Sequence, residues 1–186
     1  MNRLQHILAA LLICVSTTSC VKEKRETTYN NQEDKIDQYI TKNMYQKSIV
    51  DGKEIIDTLN VVYRGGSSRL VTQEGNGEEL KANGTVSIYY AGYTFNSSKG
   101  TLFATNHKET GEKWGITDPD YSPYLIEMNK TELIEGLKQG LVGVKAGEIC
   151  QIFFSGKYAY GKRPLGIIPA NSAIMFEIWV QAVSNE

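Results

Sequence analysis

Thr85-Val86-Ser87-Ile88-Tyr89-Tyr90-Ala91 is the stretch from which the fold reads outward. Side chains of an extended chain alternate between two faces, so Val86, Ile88 and Tyr90 share one face while Ser87 and Tyr89 share the other. Ala173 to Ala182 repeats the pattern, with Ile174, Phe176, Ile178 and Val180 pointing one way. Ile149 to Phe154 is a further apolar strand. Leu70-Val71-Thr72 is another, running into the turn Gly75-Asn76-Gly77, and Asn83-Gly84 makes a second turn. Thr131 to Gln139 has helical spacing instead: Leu133, Ile134, Leu137 and Leu141 fall on one side. Glu132 and Glu135 lie early, where the helix dipole favours acids, and Gly140 suits a C-terminal cap. Several strands and one short helix in this order predict an α+β fold, an antiparallel half-barrel sheet wrapped around a short helix.

Upstream of this region the chain changes character. Ile7 to Val15 is an unbroken apolar run behind the single basic residue Arg3, too short to span a bilayer but the size of a signal-peptide core. Ser16, Thr17, Thr18 and Ser19 follow, then Cys20. The pattern resembles a lipoprotein signal over residues 1–19, with Cys20 as the lipidated mature N-terminus. Thr17 stands where the usual lipobox has an aliphatic residue, and an ordinary secretory signal with Cys20 a bystander is the alternative. Residues 20–67 read as a tether and arm. Val21 to Gln32 is too polar to bury. Glu33 to Met44 can form a short helix with Ile36, Tyr39, Ile40 and Met44 on one face, and Asp51-Gly52 is a hairpin turn. Residues 68–186 then form the main domain.

Composition excludes several functions. Over 186 residues the formal net charge is -1, with no clustered Lys and Arg, so nothing favours a nucleic-acid backbone. The two histidines, His6 and His107, fall in the signal and in a polar loop, which leaves no triad or metal cluster to assemble. Cys150 is the one cysteine after Cys20, lies in an apolar strand, and reads as a buried, inert thiol. No cofactor-binding motif is present. What remains conspicuous is a set of apolar and aromatic residues in a Gly/Pro-containing connection: Tyr158-Ala159-Tyr160-Gly161 and Leu165-Gly166-Ile167-Ile168-Pro169.

The order of these segments resembles the FKBP isomerase domain. The likeness is carried by Val86 to Gly92, Glu132-Leu133-Ile134-Glu135-Gly136, Gly140 to Glu148, Tyr158-Ala159-Tyr160-Gly161, and Gly166 to Ser172 followed by Phe176-Glu177-Ile178. It extends from about Leu70 to Val183. The resemblance implies a peptidyl-prolyl cis-trans isomerase, and it implies a pocket. Tyr90, Phe103, Ile134, Tyr160 and Phe176 would be its catalytic set, and Tyr124, Leu133, Leu137 and Ile168 its substrate-binding wall. Within that set the Ile134 N–H and the Tyr160 hydroxyl would hold substrate carbonyls. Three departures from the family pattern stand out: Ala104 replaces an aspartate, Leu137 replaces a tryptophan floor, and Ala104 to Pro123 is lengthened. The lengthened stretch reads either as a flap at the entrance or as an ordered surface excursion.

The expected partners are proline-containing polypeptides and, through Cys20, a membrane, with no nucleic acid, metal or cofactor. The expected state is a monomer in a bacterial cell envelope, its domain in the periplasm or outside. Two rival readings need no turnover. One is an FKBP-like chaperone or binding module. The other is a structural lipoprotein with its pocket plugged by Trp114 or by the 49–66 arm.

Overall fold

The computed structural model describes residues 3–116 and 120–186, with side chains from Val21 onward except Ser48 and Val50. Cys20 and the signal side chains lie outside that description. Helix α1 (Arg3–Asn43) leads into a two-stranded hairpin, β1 (Tyr45–Val50) and β2 (Lys53–Thr58). Asp51 and Gly52 both have positive φ, the conformation a two-residue hairpin turn requires. The remaining strands are β3 (Val61–Arg64), β4 (Ser67–Gln73), β5 (Thr85–Phe95), β6 (Lys99–Thr105), β7 (Tyr124–Glu127), β8 (Ile149–Phe154) and β9 (Ala173–Ser184). They form one sheet in the order β3-β4-β8-β9-β5-β6, with β7 also on β5, and every pairing is antiparallel. Two short helices complete the elements among the described residues, α2 (Lys108–Lys113) and α3 (Glu135–Leu141).

The alternation expected from sequence sorts side chains onto the two faces of this sheet. Val86, Ile88, Ile152, Ile174, Ile178 and Val180 meet Leu137 and Leu141 of α3 in the main core. Burying an aliphatic side chain contributes about 1.5–3 kcal/mol, so this face supplies most of the stability. Helix α3 sits unusually low on the sheet. A Cβ on Gly136 would lie 2.2 Å from the Phe154 ring, and one on Gly140 would lie 2.3 Å from Ile152. Gly140 is therefore an interior contact rather than the cap expected from its position; the left-handed residue is Gly143, at φ 87°.

The outer face is covered as well. Ile36 and Ile40 of α1 pack with Leu70, Phe95, Phe153 and Met175 in a second core. The expected helix over Glu33 to Met44 is thus part of a longer one, and the polar segment before it is not wholly a tether. Tyr29 is only 4% exposed, seven positions before Ile36 on the same stripe. One buried aromatic per two turns is invisible in a composition that is otherwise polar. Val61 to Arg64, placed in the arm by sequence, pairs with Ser67 to Leu70 as an edge strand.

A buried ion pair ties the elements under α3. Arg69 and Glu148 are both nearly inaccessible, with Nε 3.4 Å from Oε1. Arg69 Nη1 donates to the carbonyls of Gly140 (2.9 Å) and Val142 (3.1 Å), and so satisfies the end of α3. Burial holds the Glu148 carboxyl above the usual carboxylate range, and Arg69 opposes that rise. Cys150, beside it, is buried and its thiol is pushed up by burial, consistent with an inert side chain. Arg69→Met should cost about 3–5 kcal/mol in urea unfolding, because it strands a buried charge. In that variant Glu148 binds its proton more tightly folded than unfolded, so the deficit should shrink as pH falls from neutrality towards the carboxylate range. A deficit independent of pH would show that the charge is not the cause.

Candidate functional site

At one end of the main core the apolar side chains open into a cup. Tyr90 leaves β5 on the core-facing side, and Phe176 comes from the neighbouring strand β9, two registers along, where Gly92 pairs with Phe176. The Tyr90 and Phe176 rings lie 6.2 Å apart at 61°. Phe103 of β6 stands edge-on to Phe176, at 5.7 Å and 90°. Tyr124, at the start of β7, completes the rim with its ring 6.2 Å from Tyr90. Edge-to-face contacts of this kind add about 0.5–1.5 kcal/mol beyond area and fix the rings relative to one another. Leu137 and Ile168 are buried behind these rings, and Leu133, Ile134 and Tyr160 pack partly buried against the same cluster. All nine residues expected in the pocket therefore converge on one region.

Polar groups at the cup are few and unengaged. Neither the Tyr90 nor the Tyr160 hydroxyl bonds a protein group among the described residues, and neither is sealed from solvent. Burial raises both phenols above the ordinary value, with Tyr124 adding to the effect at Tyr90 and Tyr90 at Tyr160. Both are therefore neutral donors at physiological pH. Ile134 has extended dihedrals just before α3, and its N–H finds no acceptor among the described residues. Its neighbour is fixed: the Gly136 N–H donates to the Tyr158 carbonyl at 2.9 Å. The cup thus offers an aromatic wall, an aliphatic floor and three free donors.

Sequence reasoning missed three contributors. Phe154 stacks on Phe176 at 6.2 Å and 25° from below; its parity with Cys150 and Ile152 in β8 is the signal that points to it. Gly92 admits the two phenylalanines, since a Cβ there would lie 2.7 Å from Phe103 and 2.8 Å from Phe176. Asn106 has no sequence signature. Its buried amide accepts from the Tyr90 N–H (2.6 Å) and donates to the carbonyls of Ile88 (3.1 Å) and Ser122 (2.9 Å). It pins the backbone of Tyr90 and both ends of the long excursion.

The described parts of that excursion do not cover the cup. His107 stacks on Trp179 at 3.8 Å, and Trp114 lies 6.2 Å from Tyr93. Tyr93, Trp179 and Leu102 belong to a small cluster on the outer face. The described parts of the excursion therefore form a surface layer, not a flap. Trp114 is 46% exposed, the β1–β2 hairpin pairs only within itself, and Val61–Arg64 pairs with β4 at the sheet edge, so neither Trp114 nor the described part of the 49–66 arm plugs the site.

Comparison with known proteins supports the fold and identifies the family. The family model for FKBP-type peptidyl-prolyl cis-trans isomerase matches residues 76–181. The chain is 28% identical over 120 residues to peptidyl-prolyl cis-trans isomerase FKBP12 of Arabidopsis thaliana, covering 63% of this chain and 98% of that protein. It is 32% identical over 109 residues to FK506-binding protein 1A of Neurospora crassa, covering 58% and 79%. Among solved structures it is similar in fold to a peptidyl-prolyl cis-trans isomerase of Pseudomonas syringae, with TM-score 0.57, 19% identity, and 86% and 96% coverage. It is likewise similar to FkpA of Escherichia coli, with TM-score 0.53, 20% identity, and 99% and 74% coverage.

The site makes its own structural test. Gly92→Ala should displace the Phe103 and Phe176 rings and destabilise the domain by about 1–3 kcal/mol through overpacking. Ring-proton NMR shifts of both phenylalanines should move together, and unchanged shifts would show that the close approach is not there.

Proposed function

Because the chain belongs to the FKBP-type peptidyl-prolyl cis-trans isomerase family, we propose that the aromatic cup is where it twists X-Pro bonds, and that its substrates are polypeptides of a bacterial cell envelope. The isomerase activity itself follows from the family. The supporting observation for the site is the convergence of Tyr90, Phe103 and Phe176 around a space whose nearby donors, the Ile134 N–H and Tyr160 hydroxyl, are free.

Rotation about a peptide bond meets a barrier of about 18–20 kcal/mol, because resonance holds the amide planar. Uncatalysed X-Pro exchange takes roughly 10–100 s. The twisted amide has lost its resonance, is less dipolar, and needs no proton transfer or covalent bond. An enzyme has only to bind it more tightly than the planar form. Phe103, Phe176 and Tyr90 would grip the proline ring. The Ile134 N–H and the Tyr160 hydroxyl would hold the carbonyls on either side, leaving the bond between them as the place where strain is relieved by rotation. Leu137 makes a softer floor to the cup than a tryptophan would.

The cellular setting is a proposal from the first residues. A short apolar run, Ile7 to Val15, followed by small and hydroxyl residues up to Cys20, supports a lipid anchor, since each buried methylene contributes about 0.8 kcal/mol and several acyl chains hold a protein firmly. Mass spectrometry and membrane fractionation of the native protein test this. The expected result is acylation at Cys20 and release into the soluble fraction by Cys20→Ser; retention of that variant would overturn the anchor.

Turnover is tested with a protease-coupled assay on a short X-Pro peptide. Tyr160→Phe should lower kcat/KM a few-fold, and Phe103→Ala by about tenfold or more. Because both phenols titrate above their ordinary value and no histidine among the described residues reaches the cup, kcat/KM should stay flat from about pH 6 to about pH 9. Full activity in both variants, or a bell-shaped profile centred near neutrality, would overturn the site.

A further inference from the structure

The loop joining β8 to β9 carries Tyr158, Tyr160 and Ile168, one wall of the cup. Its conformation has to be fixed at its two ends, and helix α1 reaches both. Gln32 Nε2 donates to the carbonyl of Asn171 at 2.7 Å, and Gln32 Oε1 accepts from the N–H of Gly156 at 2.9 Å. One side chain thus bridges the first and last turns of the loop. Tyr29 adds a hydroxyl bond to Asn171 Oδ1 at 2.7 Å, and Ser155 donates to Glu33 at 2.9 Å. Inside the loop the same ends are laced together, Gly161 N–H to Gly156 and Asn171 N–H to Gly161 at 3.0 and 2.6 Å. Asn171 itself holds a left-handed conformation, φ 59°.

Hydrogen bonds and the buried Tyr29 together hold this junction. A cleft of about 500 Å³ opens beside it, lined by Thr28, Lys35, Asn96 and Ser172 among others. The loop then passes the constraint inward: the Tyr158 carbonyl receives the Gly136 N–H, two residues from Ile134. A continuous path runs from Gln32, through the loop ends, to the groups that would hold the substrate carbonyls.

We propose that helix α1 is a clamp on the active-site loop and that Gln32 is a positioning residue for isomerisation, acting through Gly156 and Asn171 without touching substrate. The proposal rests on the isomerase reading of the cup. Helix α1 is therefore part of the enzyme, not only a spacer between it and whatever precedes it.

The test uses the full-length chain in mild detergent. Gln32→Met keeps the volume of the side chain and removes both bonds. It should lower kcat/KM on an X-Pro peptide by about three- to tenfold, with the thermal midpoint nearly unchanged. It should also speed amide hydrogen exchange at Gly161 and Gly136, which Gln32 does not contact. Gln32→Glu keeps the acceptor but loses the donor while ionised; protonation restores a donor. Its exchange protection at those amides should therefore recover as pH falls from about 8 to about 4, the carboxyl range. Lys42→Ala changes an exposed position of the same helix away from the loop and should leave kcat/KM at the wild-type value. Wild-type turnover and protection in Gln32→Met would overturn the clamp, as would an equal loss of activity in Lys42→Ala. If the wild-type chain itself lacks turnover, the isomerase reading fails, while exchange at Gly136 and Gly161 still decides whether the clamp exists.

Discussion

The close seating of helix α3 on the sheet is the contact on which the site depends. Gly136 and Gly140 lie one turn apart and present no side chain to β8, so Phe154 and Ile152 fill the space that side chains would have occupied. Lowering the helix in this way leaves Leu137 as a floor and sets Ile134 at the rim with its N–H unspent. It also slides Phe154 under Phe176, whose ring then stands upright between Tyr90 and Phe103. Any larger residue at position 136 would have to move Phe154, and the aromatic wall would move with it. Arg69 secures the other end of the helix through the carbonyls of Gly140 and Val142. The cost is a buried charge, offset by Glu148.

The concave side of the sheet was legible in the sequence because burial on one face leaves a period of two. Val86, Ile88 and Tyr90 of β5, and Ile174, Phe176 and Ile178 of β9, all fall where their spacing places them. The convex side was not legible in the same way. Its cover comes from a helix whose apolar stripe is sparse, Tyr29, Ile36 and Ile40 among charged residues, so composition masks it. Strand β7 escaped because it is four residues long and emerges from a polar, proline-containing stretch. The cap expected at Gly140 failed for a physical reason: glycine serves both left-handed turns and close packing, and only the partner across the interface tells them apart.

Residues that act through the backbone were the hardest to foresee. Asn106 holds the Tyr90 N–H with its own amide oxygen, and Gln32 holds Gly156 and Asn171 across an interval of more than a hundred positions. Neither residue type signals such a role, because an amide side chain has a use only where two unpaired backbone groups happen to meet. The aromatic residues of the cup, by contrast, announce themselves by being too apolar for loops. The resemblance to a family carried the reading from a set of apolar residues to named positions in a pocket, and the fold brought those positions together.

The chemistry explains why positioning residues matter so much in a protein of this kind. A hydrolase draws much of its rate from a nucleophile and a base whose reactivity is intrinsic, and part of that survives imperfect placement. Twisting an amide uses no such reagent. In the proposed mechanism the rate gain lies wholly in how much better the cup fits a rotated carbonyl than a planar one, and each 1.4 kcal/mol of that difference is a factor of ten. A loop free to sample several positions would accommodate both forms of the substrate and so lose the distinction. Tying the loop ends to a helix on the far face of the sheet removes that freedom without placing any bulk in the cup. A double-sided sheet, with α3 beneath the proposed site and α1 behind it, is thus a means of keeping a shape-dependent catalyst rigid while its binding surface stays open.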